Sequence, residues 1–85
     1  MSTTDDLPPI PPYAPQPGRY RHYKGNEYEV LHTARHSEQL DTFVVVYRPM
    51  RDPAAIWVRP LDMFVEAIDG PAGRVQRFAP IHPSA

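Results

Sequence analysis

From Gly18 onward the chain alternates between apolar and polar positions in short runs, each closed by turn residues. Arg19 to Tyr23 is the first run. A period of two puts Tyr20 and His22 on one face and Arg19, Arg21 and Tyr23 on the other. Lys24-Gly25-Asn26-Glu27 reads as a turn, because Gly25 and Asn26 tolerate positive φ. Tyr28 to Ala34 is then the returning strand of a hairpin. Arg35 to Leu40 is a polar connection, and Thr42 to Tyr47 is β-branched or aromatic throughout, which makes it the strongest strand.

Pro49 to Ala55 is a second loop. Ile56 to Arg59 is a short strand with Ile56 and Val58 on one face and Trp57 and Arg59 on the other. Pro60 is suited to the first position of a helical or 3₁₀ turn, which would place Leu61 and Phe64 on one side. Phe64–Ile68 and Val75–Phe78 read as a last hairpin across Asp69-Gly70-Pro71-Ala72-Gly73. A helix over Leu61–Ile68 is the rival reading, since Leu61, Phe64, Val65 and Ile68 also fit a period of 3.6. The expected core is Tyr28, Val30, Phe43, Val45, Tyr47, Ile56, Val58, Phe64 and Phe78. Short strands at close spacing predict a mainly β fold, a small SH3-like barrel of about five or six strands with one short 3₁₀ or helical turn.

Before Gly18 the pattern vanishes. Half of the 12 prolines lie in the first 17 residues. Proline fixes φ and has no N–H for a ladder, so polyproline II or disorder is expected there. The domains are therefore a disordered proline-rich tail over 1–17, the barrel over 18–80 and a frayed C-terminus over 81–85. Three overlapping P-x-x-P frames begin at Pro8, Pro9 and Pro12. No basic residue flanks them, so a solubilising extension is preferred to a ligand for an aromatic groove.

An 85-residue chain has room for one marginally stable domain, as a monomer or weak homodimer. Its net charge of −1 argues against nucleic acid as a partner. Cysteine is absent, so neither a disulfide framework nor thiolate chemistry is available. Asp5 and Asp6 stand where a secretory signal would be basic, and no apolar run reaches membrane length. A cytoplasmic protein is expected.

Gly-Arg-Tyr-Arg-His-Tyr-Lys-Gly-Asn-Glu-Tyr-Glu-Val from Gly18 resembles the opening of the bacterial domain of unknown function family 1653. The resemblance continues through Ala34–Glu38, Val45–Arg48 and Trp57–Glu66, and covers Gly18 to Phe78. It implies a small SH3-like barrel and a bacterial origin, with no assigned biochemistry. In the loop Pro49 to Ala55 relatives tend to carry a Leu-Tyr and glycine-containing segment, where this chain has Pro-Met-Arg-Asp-Pro.

Three constellations could carry chemistry. His36-Ser37-Glu38 holds nucleophile, base and acid, but sequence neighbours rarely reach triad geometry and no Gly-x-Ser-x-Gly elbow is present. A turn fixed by short polar side chains is preferred. A metal site would draw on His22, His32, His36 and His82, yet nothing in their spacing predicts three convergent ligands. No catalytic residue, metal ligand or cofactor is assigned.

The third is a polar and aromatic patch of His22, Lys24, His36, Glu38, Trp57 and Arg59, in which cations would meet an anion beside an indole wall. Its structural alternative has Arg59 packing on Trp57 and pairing with Glu38 or Glu66. The leading reading is a binding module for an anionic or planar small ligand or a peptide segment. The alternatives are a small hydrolase using His36 as general base and weak nucleic-acid binding.

Overall fold

The computed structural model describes residues 7–81. Each alternating run forms a strand: β1 is Gly18–His22, β2 Glu27–Arg35, β3 Phe43–Pro49 and β4 Trp57–Pro60. A four-residue helix, α1, covers Leu61–Phe64, and β5 (Ala67–Gly70), β6 (Gly73–Gln76) and β7 (Phe78–Pro80) follow. Gly25, at φ +108°, turns β1 into β2, a conformation that glycine reaches without a Cβ clash. Pro60 precedes α1, and Leu61 and Phe64 are both buried. The helical turn thus forms where proline was expected to open it, but the longer helix to Ile68 does not. Val65 closes the turn by donating its N–H to the Leu61 carbonyl, and Ala67 already begins a strand.

Five strands form one antiparallel sheet in the order β4-β3-β2-β1-β7, and β5 and β6 form a separate ribbon. The register of β2 on β3 shifts between Val30 and His32. Such a bulge bends its strand and increases the local twist, which curls the sheet midway along its longest member. Among the described residues the ladder stays open, with β4 and β7 as its edges, so the mainly β fold is a five-stranded sheet and a separate ribbon, not a closed barrel.

Nor do Val75 to Phe78 form one strand. At Arg77 the chain leaves the ribbon, with the Arg77 N–H on the Glu66 carbonyl and the Tyr23 N–H on the Arg77 carbonyl. Phe78 then starts β7 against β1, pairing with His22.

The core is Tyr20, Val30, Val45, Tyr47, Leu61, Phe64 and Phe78. It lies on the concave face, where the Phe64 and Phe78 rings stack at 4.1 Å and 2°. On the convex face Glu29 sits opposite Arg48 and accepts two of its N–H groups, at 2.8 and 2.6 Å. Tyr28 and Phe43 are partly buried against the core, but Ile56 and Val58 are 53% and 62% exposed. The expectation that these two are core is therefore corrected. In β4, Trp57 and Arg59 share the face of their partners Tyr47 and Val45, and those partners are buried.

Residues 7–17 contain no strand or helix. The Ala14 N–H bonds the Pro11 carbonyl in a turn, and Ala14 packs against the core. The Tyr20 hydroxyl donates to the Gln16 carbonyl at 2.8 Å. The Tyr13 hydroxyl lies 3.5 Å from Asp62 Oδ1. A chain beginning at Pro17 should therefore be less stable by about 1–2 kcal/mol, for one hydrogen bond and a small apolar contact. Urea denaturation of the two chains measures this, and equal midpoints would show that the contacts add nothing. The C-terminal residues 82–85, which include His82 and most of the expected frayed end, lie outside the described residues. Among the described residues no helix is long and apolar enough to cross a membrane.

Candidate functional site

One end of the concave face is built from side chains on five strands. Trp57 and Arg59 project from β4. The Arg59 Nε donates to the Tyr47 hydroxyl at 3.2 Å, and its guanidinium lies 5.4 Å from the centre of the Phe78 ring. Trp57 has ring centres of Tyr28 at 5.9 Å and Tyr47 at 6.0 Å. His22 stands 4.9 Å from Phe78 and 6.4 Å from Tyr28, both edge to face. The circuit is completed by Tyr47 and Phe78, 5.7 Å apart. Aromatic pairs at such spacings hold one another in fixed orientation. Trp57 remains 43% exposed and forms the accessible wall.

The electrostatics of this end are one-sided. His22 Nδ1 accepts the Lys24 N–H at 3.2 Å, so the neutral ring carries its proton on Nε2. Burial holds the His22 pKa below its ordinary 6.5, and the positive charges of Arg59, Arg77 and Lys24 push it further down. Arg77 is paired with Glu66 at 2.8 Å and also bonds the Met63 carbonyl. Arg59 has no carboxylate within ion-pair distance among the described residues. The alternative that paired it with Glu38 or Glu66 is therefore corrected: Arg77 holds Glu66, and Tyr47 takes the Arg59 Nε. The site offers donors and positive charge to whatever sits against Trp57.

A lowered folded-state pKa favours the neutral imidazole in the native state. Its contribution to stability is full above the unfolded value of 6.5 and is lost as pH falls through the folded one. Urea midpoints should drop between about pH 7.5 and about pH 5. A His22→Asn variant, whose side-chain oxygen can still accept the Lys24 N–H, should show a flatter profile. An unchanged profile would sink the assignment.

Of the six expected site residues, His22, Lys24, Trp57 and Arg59 gather at this end. His36 and Glu38 do not. The β2–β3 ladder runs from Tyr28 opposite Pro49 to Arg35 opposite Phe43. Seven residues of strand separate Tyr28 from Arg35, about 23 Å, and His36 lies beyond. There His36 Nδ1 accepts the N–H groups of Glu38 and Gln39, both at 3.0 Å. The His36-Ser37-Glu38 segment is thus a turn whose imidazole holds the backbone. Among the described residues no three His, Asp or Glu side chains gather as metal ligands would.

Tyr28, Tyr47 and Phe78 line the site although their sequence pattern marked them only as core. The signal available for them was pairing, since strands adjacent to β1 and β4 must supply the residues beside His22 and Trp57. Arg77 had no such signal, because its place depends on the break between β6 and β7.

The fold and this site define a small, mainly β domain with an aromatic and cationic patch. Residues 18–80 match the family described as protein of unknown function (DUF1653), and the chain belongs to that family. It is similar to a crystal structure of a DUF1653 protein from Bordetella bronchiseptica, with 39% sequence identity and a TM-score of 0.67. That similarity covers 81% of this chain and 94% of the other. No curated protein matches.

Proposed function

We propose that this domain is a non-enzymatic binding module whose site is the end of the concave face bounded by Trp57, Arg59, His22 and Lys24. The ligand is anionic, with a planar group that lies on the indole. The observation that carries this reading is Arg59. A half-buried guanidinium held by a tyrosine hydroxyl and an aromatic face, with no carboxylate partner among the described residues, is oriented but not neutralised. Its planar fork suits a carboxylate or phosphate.

The scaffold reading is an SH3-like one. It is supported by the strand order β7-β1-β2-β3-β4, the bulge in β2 and the single helical turn after β4, with β5 and β6 as an inserted ribbon. Such scaffolds commonly present aromatic grooves to extended segments.

Trp57 is the only tryptophan, so intrinsic fluorescence reports on the site directly. Titration with benzoate, indole-3-carboxylate and phenyl phosphate should change its emission in a saturable way, and benzamide should not. No response to any of the anions would remove the reading.

A further inference from the structure

The backbone of β4 indicates what kind of ligand the patch takes, an inference that rests on the binding reading above. The Met50 N–H bonds the Glu27 carbonyl, and the His36 N–H bonds the Thr42 carbonyl. These two bonds fix the phase of the β2–β3 ladder at both ends: even-numbered positions of β3 turn their backbone groups to β2. The alternate positions, Val45 and Tyr47, turn theirs to β4, where their partners are Arg59 and Trp57. Trp57 and Arg59 therefore spend their backbone groups inside the sheet. Val58, between them, turns its N–H and C=O outward from an edge that no described strand covers.

The side chains along this edge are equally uncovered. Ile56, Trp57 and Val58 are consecutive and 53%, 43% and 62% exposed. An open edge flanked by apolar side chains is a template for another strand. Pro60, with no N–H, limits the edge at its far end.

We propose that β4 accepts an extended acidic peptide as an added strand. Hydrogen bonds to Val58 would hold its backbone. Its alternate side chains would reach the concave face, one apolar residue against Trp57 and, two positions away, an Asp or Glu against the unneutralised Arg59. The residue between them covers Val58 and is best β-branched. Charge complementarity selects this occupant over a second copy of the chain. Two β4 strands paired about Val58 would set each Arg59 opposite the other's Trp57, with no carboxylate brought to either.

The experiment uses the full chain and a fluorescein-labelled peptide, Ser-Thr-Glu-Val-Leu-Thr-Ser, whose Glu-Val-Leu runs antiparallel to Trp57-Val58-Arg59, followed by fluorescence polarisation at low salt. Saturable binding is expected, weakened about tenfold when the glutamate is replaced by glutamine. Val58→Pro removes the outward N–H without touching the ladder to β3. It should abolish peptide binding while the Trp57 response to benzoate persists. A peptide N-methylated at its central valine provides the same test from the other side and needs no change to the domain.

Unchanged affinity for the N-methylated peptide or for a folded Val58→Pro chain would overturn strand addition and leave the anion site standing. Loss of the benzoate response in the unmodified chain would instead bring down the site reading beneath it. A concentration-dependent dimer in sedimentation, abolished by Val58→Pro, would overturn the proposal in favour of a second copy as the occupant.

Discussion

Replacing Phe64 with alanine should destabilise the domain by about 3–5 kcal/mol. The side chain is 1% exposed, stacks on Phe78 at 4.1 Å and meets Tyr20 and Tyr47 edge to face at 5.7 and 5.5 Å. Its removal leaves a void bounded by three aromatic rings, each held by further partners and slow to collapse inward. The whole stability of a small domain is about 5–15 kcal/mol, so much of it would be lost. With about 4–8 °C of melting temperature per kcal/mol at this size, the transition should fall by about 15 °C or more. Near-UV circular dichroism during heating measures it. Val58→Ala, at a site 62% exposed, should shift stability by no more than about 0.5 kcal/mol. A Phe64→Ala shift as small as that would mean α1 does not seal the core.

The second large effect is on binding. Arg59→Gln should weaken the carboxylate response of Trp57 about ten- to a hundredfold, the range for losing a charge-assisted hydrogen bond. Arg59→Lys should recover little of it. An ammonium carries the charge but cannot bond the Tyr47 hydroxyl while lying flat on Phe78. Tyr47→Phe keeps the ring and releases Arg59, so it should weaken binding with little change in the concave surface. Parallel melts separate these effects from folding, because losing the Tyr47 partner should cost only about 1 kcal/mol. Full binding by Arg59→Gln would place the anion elsewhere.

The strands were largely legible from alternation and turn residues, and Pro60 foretold α1. Alternation separates two faces of a strand without saying which one is inward. In Ile56–Arg59 the two β-branched residues were the natural choice for the core, yet Ile56 and Val58 are exposed. At an edge the core is tapering, and the long amphipathic side chains of Trp57 and Arg59 reach over it while keeping their polar ends accessible.

The patch was half legible for a related reason. His22 with Lys24, and Trp57 with Arg59, could be grouped by strand faces. Assigning a loop to one end of the sheet or the other requires the register, which is why His36 and Glu38 were grouped with residues about 23 Å of strand away. The split of β6 from β7 depends on the bonds Arg77 makes with Glu66 and Met63, contacts that no local pattern announces.

The pairing of β1 with β7 also has a consequence for how the domain can be used within larger proteins. Tyr20 faces Pro80 across the ladder, and the Ile81 N–H reaches the Arg19 carbonyl at 2.9 Å, so the segment enters and leaves the sheet at one spot. A unit with neighbouring ends can be spliced into a surface loop of a host protein without prying the host's strands apart. By the same geometry, a short linker could join its ends and new ones could be cut at the exposed Pro71-Ala72 tip of the ribbon.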